Sequence, residues 1–469
     1  MDDRLKAGET IGLMAMQVMG GGMISQLTHR QQHHHLTNTH VWSWDGRWVY
    51  YDIRSDADGA VFDGPRIERV NTKTSEVEVV YEASHGACVG VATASPTEDR
   101  LVFIHGPEDP TSDWNYSASH RRGVVMCPGQ ASSVQNLDAR DIVDPFTPGA
   151  LRGGSHVHVF DDEGQWVSFT YEDHVLAMEP TGGQKNQRNV GVSIPHQPVS
   201  VPSTHPRNHE GAFWSVLATR THDRPEPGSD QICKAYEDAW VAKKKGQVPS
   251  GKTSAKALAF LGDVVIETDS MQRGGAALGA QEHLRKTVPE LFVVDLPVDC
   301  SVAGSEPLQG TATTRPAPPV GTVQRRLTRT TDRPYPGVAT DVRHWPRSKP
   351  DGSEVCFLMR DDHGVIQLWS VPPDGGSLKQ ITRGKESVAS AFTIHPGGNH
   401  AACVMGNSVC EVDLSDGRVV TLAEGGEQFR CLPFAVVYSP DGSRVAFGGA
   451  VSSGDKSCNQ VFVVDSTAD

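Results

Sequence analysis

Twenty histidines in a chain of 469 residues are the side chains most able to do chemistry here, and several stand close to carboxylates and arginines. In GGSHVHVF (Gly153 to Phe160), His156 and His158 lie two residues apart, so in a regular strand both rings project from one face. Gly153 and Gly154 just before them let another backbone approach closely. An H-x-H pair is a usable clamp for a divalent ion such as manganese, calcium or zinc; its plainer alternative is two rings hydrogen-bonded in a wet channel. The run His33-His34-His35 abuts a strand and offers His34 as a further ligand. TYEDH (Thr170 to His174), HGPEDP (His105 to Pro110) and MRDDHG (Met359 to Gly364) each bring carboxylates together with a histidine, and Arg54, Arg220 and Arg360 occupy related places.

That set suits the removal of a weakly acidic proton beside a carboxylate. Arg360, Arg220 or a metal on His34, His156 and His158 would neutralise the carboxylate. His105, Tyr171 or His174 would take the proton and return it to the leaving oxygen. Hydrolysis by a carboxylate pair such as Glu172 and Asp362 is a weaker variant, because it requires a defined separation between the two groups. A net charge of −14 without a basic stripe argues against nucleic acid, and Lys243 to Lys245 is expected to be a solvated face. No uninterrupted apolar run of ~20 residues is present, so no membrane-spanning helix is expected. Nine cysteines without a C-x-x-C pair are expected to be small buried hydrophobes in a reducing compartment, hence a cytoplasmic protein. The apolar stretch Ile11 to Met23 lacks a basic leader and a small-residue cleavage site, which leaves secretion or a periplasmic location as the lesser alternative.

The elements that must position these residues repeat. A hydrophobic strand, a tight Ser/His/Asp-Pro/Asp-Gly turn and a second strand recur at Val41 to Tyr51, Gly90 to Ile104, His156 to Tyr171, Val199 to Ala218, Val342 to Met359, Ala391 to Val404 and Ala435 to Phe447. Two more strands follow most of these hairpins, and a period of roughly 40 to 50 residues is that of a propeller blade. The expectation is an all-β, seven-bladed propeller spanning 23–469 as one domain, with 1–22 as an N-terminal extension. Met23 to Arg30 would complete the C-terminal blade, Ile24 to Thr28 lying beside Val461 to Val464, which closes the ring and leaves few sheet edges. Residues entering the first strand of a blade and leaving its second share one face, so the candidate residues should gather at one channel mouth. His205 and His395, in His-Pro turns, should lie on the other face. The 220–289 segment is read as an insertion in blade four leaving from the site face, a lid or pocket wall, with Ser229 capping a helix that carries Ile232, Tyr236 and Trp240.

The motifs LTNTHVW, FIHGPE, HRRGV, TPGALRGGSHVHVF, SFTYEDH, PAPPVGTVQRRLT, RHW and FLMRDDHGVIQLW together resemble the YidR-type family of TolB-like β-propeller proteins, from about Leu36 almost to the C-terminus. What the resemblance implies is the fold. More remotely, the blade pattern is similar to that of propeller oligogalacturonate lyases, in which histidines and a glutamine at a channel mouth hold a divalent metal that engages a uronate carboxylate. His34 stands where that pattern has a glutamine. The leading expectation is therefore a carbon–oxygen lyase performing β-elimination on a uronate-containing, acidic oligosaccharide at the mouth. The rival is a binding module whose mouth receives a peptide or partner protein.

Overall fold

The structure, a computed structural model, describes residues 16–17, 23–37, 39–130, 133–178, 182–242, 254–268, 285–454 and 456–468. Seven antiparallel sheets follow one another along the chain as seven blades, numbered here from His33. Six have four strands, and the seventh has five because the N-terminal strand Met23–Gln26 joins it, with Met16–Gln17 outside that. Ile24 faces Val464 and Gln26 faces Phe462, the closure expected from the sequence. Thr28 locks the joint: its hydroxyl donates to Gln460 Oε1 at 2.8 Å and accepts the Val461 amide at 2.9 Å.

The repeated turn has one hydrogen-bond scheme. The amide of the turn glycine donates to the carbonyl three residues earlier in Gly46–Ser43, Gly164–Asp161, Gly352–Lys349, Gly398–His395 and Gly442–Ser439. All five glycines have positive φ, a conformation that costs glycine little and most residues much. Where the turn begins with serine its hydroxyl also meets the aspartate two residues on, at 2.6 Å in both Ser43–Asp45 and Ser439–Asp441.

The core lies between blades as radial wedges. Val49, Tyr51 and Ile53 of blade one pack on Val437, Ala446 and Val461 of blade seven, and Leu358 and Leu368 of blade five pack on Cys403 and Val412 of blade six. Burying each such side chain contributes about 1.5–3 kcal/mol, which holds the ring together without any single central core. No disulfide joins the cysteines among the described residues. No helix among the described residues is long and apolar enough to cross a membrane.

Blade four departs from the expectation. Its innermost strand is Ile232–Val241, followed by Ser254–Thr268, Arg285–Pro297 and Val323–Arg326. The described part of the segment read as a helical insertion is thus the blade itself, and the rest of it lies outside the described residues. Ile232, Tyr236 and Trp240 are spaced by four, which fits a strand face as well as a helix face. The stretch read as a fourth hairpin, Val199 to Ala218, instead ends in Trp214–Leu217, the outermost strand of blade three.

The innermost strands of blades two, three and four share a bulge. Val91, Val157 and Glu237 adopt φ of 56°, 54° and 53°, each inside a break in register: Gly90/Thr93, His156/Val159 and Tyr236/Ala239. A bulge re-aims the side chains that follow it. Trp345, entering blade five, packs against Val157 and Val159, with Val91 and Trp240 alongside, so apolar side chains from four blades converge on the axis.

Candidate active site at the channel mouth

Above this apolar plug lies a cavity of about 350 Å³ lined by His35 and Arg54 of blade one, Val91, Val157, Arg343 and Phe434 among others. Two of the bulge residues therefore form its wall. Asp52 shows how the wall is held: Oδ1 accepts the amide of Val91 at 3.0 Å while Oδ2 accepts Arg54 Nε at 2.8 Å.

Arg54 and Arg343 line this cavity, and Arg121, Arg188 and Arg360 stand on neighbouring strands and loops of blades two, three and five. Arg54 pairs with Asp52, Arg188 with Glu172 at 2.5 Å, Arg343 with Glu237 at 3.1 Å, and Arg360 with Asp341. Arg121 donates to the Tyr116 hydroxyl at 3.2 Å. His156 is buried within reach of three of these charges. Burial, and then Arg121, Arg188 and Arg343, hold its pKa well below 6.5, so it is neutral at pH 7. Its Nδ1 is buried and makes no hydrogen bond.

The other candidates from the sequence are placed as follows. His158 does not stay on the face of His156, because the Val157 bulge intervenes between them. Its Nε2 lies 2.9 Å from Ser155 Oγ, which donates to Asp138, so Nε2 carries the proton and Nδ1 is left without a partner. Burial pushes its pKa down to about 3. His34 sits between blades one and seven, Nδ1 to the Asn459 carbonyl at 2.9 Å, its ring edge-on to Tyr51. Each of these three rings has a buried nitrogen without a partner, but no three His, Cys, Asp or Glu among the described residues are grouped to hold an ion. His34, His156 and His158 are therefore not gathered into one clamp among the described residues.

His105 is engaged on both sides. Nδ1 meets the Gly106 carbonyl at 2.6 Å and must donate, so Nε2 accepts from Tyr81 at 3.0 Å, and burial lowers its pKa to about 4. Tyr171 is a core residue packed with Leu151, Phe169 and Leu217. Its hydroxyl donates to Asp173 at 3.0 Å, and burial, then the Asp173 charge, push its pKa far above 10. Arg220 lies at the perimeter just after the outermost strand of blade three, paired with Glu306. His174 follows Asp173 into a single helical turn and meets His120 Nε2 at 3.1 Å. His120 Nδ1 faces the Asn115 carbonyl at 2.9 Å and must donate, so its Nε2 accepts and His174 donates through Nδ1. The lone pair of His174 is then on Nε2. Burial lowers the His174 pKa to about 4.

The two His-Pro turns part company. His395 stays in its turn, accepting the Gly397 amide at 2.9 Å. His205 instead lies 6.3 Å from Trp114, whose ring also stacks on His120, and Arg207 binds the carbonyls of Glu108 and Asp109. Those residues belong to the loop leaving the second strand of blade two, so His205 is not on the far face; the long connection 195–213 carries it across. The glycine argument holds: a Cβ on Gly153 would lie 2.1 Å from the Glu172 carbonyl oxygen, and one on Gly154 2.2 Å from that of Ala118. Arg121 and Arg343 stand in the motifs HRRGV and RHW, yet neither they nor Arg188 and Glu237 were read as site residues, because nothing in the local sequence gives them a role. Their significance comes from being brought together by four different blades.

The chain is similar to an uncharacterised protein, YidR of Escherichia coli (strain K12), with 45% identity over 428 residues that cover 90% of this chain and 94% of that one. A family model described as a protein of unknown function (DUF3748) matches residues 88–209. Among solved structures, an oligogalacturonate lyase in complex with manganese superposes with a TM-score of 0.55 at 10% identity, covering 97% of this chain and 96% of that one. An oligogalacturonate lyase from Vibrio parahaemolyticus gives 0.51 at 8% identity over 95% and 93%. At such identities the likeness is one of fold.

Proposed function

The chain belongs to the family of YidR, and on that premise we propose that its propeller is a lyase-like enzyme that carries out β-elimination on a uronate-containing oligosaccharide at the channel mouth. The observation that carries this is His156: a buried imidazole whose Nδ1 makes no hydrogen bond and whose pKa is held well below 6.5 by burial and then by the charges of Arg121, Arg188 and Arg343. Elimination needs a cationic site for the uronate carboxylate, which makes the adjacent C–H acidic enough to lose its proton, and an uncharged base beside it. These three charges favour the unprotonated form of His156 while the site is empty. A bound carboxylate offsets them, so the basicity of His156 rises when the substrate arrives. The β C–O bond then breaks, and the leaving oxygen takes a proton from the imidazolium or from water. The similarity in fold to oligogalacturonate lyases supports the substrate class.

The test is incubation with oligogalacturonates and related uronate chains, following the ultraviolet absorbance of the unsaturated product. His156→Ala is expected to abolish it, with unfolding free energy within about 2 kcal/mol of the parent. A broad uronate panel without product sinks the proposal and favours the binding-module alternative.

A further inference from the structure

We infer that Arg121 is the receptor for a ligand carboxylate of the kind borne by a uronate chain, and that it is held ready for that role by a four-layer stack. The substrate class rests on the reading proposed above; the receptor itself rests on geometry.

Of the five arginines around the mouth, Arg54, Arg188, Arg343 and Arg360 each hold a carboxylate. Arg121 holds none among the described residues. Its polar contact is the phenol of Tyr116, and its Nε is buried without a hydrogen bond. A guanidinium has five N–H donors in a flat fork, and leaving them unmet away from water is costly. Burial lowers the pKa of Arg121, and the Tyr116 phenol and the Glu172 charge offset this only in part. A two-oxygen anion is the complement of such a fork.

The stack explains why Arg121 does not swing out to water. Arg54 lies 5.1 Å over Phe62, Phe62 stacks on Tyr116 at 4.6 Å with 13° between planes, and Arg121 lies 5.9 Å over Tyr116. This ties the loop after the second strand of blade one to that of blade two. Two glycines make room for it: a Cβ on Gly90 would come within 2.9 Å of Phe62, and one on Gly106 within 3.2 Å of Tyr116. The Arg121 backbone is bound to the strand of His156 through the Ser155 amide at 3.3 Å, so a stacked, half-buried guanidinium without a carboxylate partner among the described residues stands beside His156, arranged for a ligand.

Calorimetric titration of the full chain with trigalacturonate, and with maltotriose as a neutral trisaccharide, tests this. Trigalacturonate should bind and maltotriose should not. Arg121→Gln should weaken binding by about tenfold or more, Arg121→Lys by an intermediate factor, and Arg418→Gln, which removes one charge from a remote turn, by less than twofold. Tyr116→Phe keeps the stack and should bind within about threefold of the parent. Should Arg121→Gln fail to fold, Arg121→Lys carries the same comparison. Unchanged affinity in both Arg121 variants, or trigalacturonate binding no better than maltotriose, overturns the inference. Binding that depends on Arg121 without unsaturated product leaves this inference standing and removes the elimination chemistry.

Discussion

Glu237 Oε1 and Arg343 Nε meet at 3.1 Å, and through them the bulge of blade four is tied to the segment entering blade five. Burial raises the pKa of Glu237 while Arg343 pulls it back, so this carboxylate is held charged chiefly by its partner. Arg343 itself is 60% exposed. The pair therefore sets the orientation of the mouth more than it stabilises the fold.

Glu237→Gln should accordingly change the unfolding free energy by less than about 1 kcal/mol, since solvent screens the pair and a desolvated charge is removed at the same time. Freed of its carboxylate, Arg343 should tighten trigalacturonate binding severalfold. Weaker binding in this variant would show that the carboxylate helps to hold the ligand.

Arg152 and Asp173 are a different case. Both are buried, with Nη2 to Oδ2 at 2.7 Å, and Arg152 also donates to the carbonyls of Thr311 and Thr314. Asp173→Ala strands a buried cation and should cost about 3–5 kcal/mol in urea unfolding. The 305–322 connection, pinned by Arg152, should become the first site of limited proteolysis. A loss under 1 kcal/mol would contradict the burial of this pair.

Gly154→Ala tests the close approach of two backbones. The Ala118 carbonyl oxygen, 2.2 Å from the added Cβ, is main chain and cannot rotate away. The loop 106–121 must shift, so a loss of about 2 kcal/mol or more is expected, together with weaker ligand binding through Arg121. A variant with the parent's melting temperature and affinity would show that the loop yields freely.

Acid should destabilise the fold through its buried neutral histidines. His344 is the clearest example: Nδ1 faces the Val342 carbonyl at 2.9 Å and Nε2 accepts the Leu358 amide at 3.1 Å, a bond that a proton on Nε2 abolishes. Burial pushes its pKa from 6.5 to about 4, that of His40 to about 4 and that of His158 to about 3. Between pH 6.5 and these values the unfolded chain binds more protons than the native one, so stability rises with pH there and is lost as pH falls. Each ring contributes up to about 1.4 kcal/mol per pH unit. Urea midpoints should therefore drop from pH 7 to pH 5, and His344→Gln should lessen the drop. Equal midpoints at the two pH values would refute the neutral-histidine account.

The ring was legible in the sequence because its signals are local. Ser43-Trp44-Asp45-Gly46 and Ser439-Pro440-Asp441-Gly442 encode the same turn whatever surrounds them, and Ile24 and Val464 are recognisable strand residues at either end. Blade four was misread because its turns are not of this type and its four-residue apolar spacing fits both kinds of element. The site was harder to read for a different reason. Simple alternation puts His156 and His158 together, but Val157 at φ 54° breaks the alternation, and nothing in S-H-V-H-V announces a left-handed valine. The arginines gain their significance only from spatial neighbours 50 or more residues away, such as Arg121 and Arg188 or Arg188 and Arg343.

The closure of blade seven imposes an order on synthesis. Met23–Gln26 leaves the ribosome among the first strands, yet its partner Lys456–Asp465 is among the last. At about 5–20 residues per second, that interval lasts roughly 20 to 90 s. Each of blades one to six draws all its strands from one contiguous stretch made within that interval, while the early strand has only solvent, or an unrelated strand edge, to pair with. A nascent chain stalled before Lys456 is thus an open ring with two unmatched rims, the state in which this protein is most exposed to joining a neighbouring copy instead of itself.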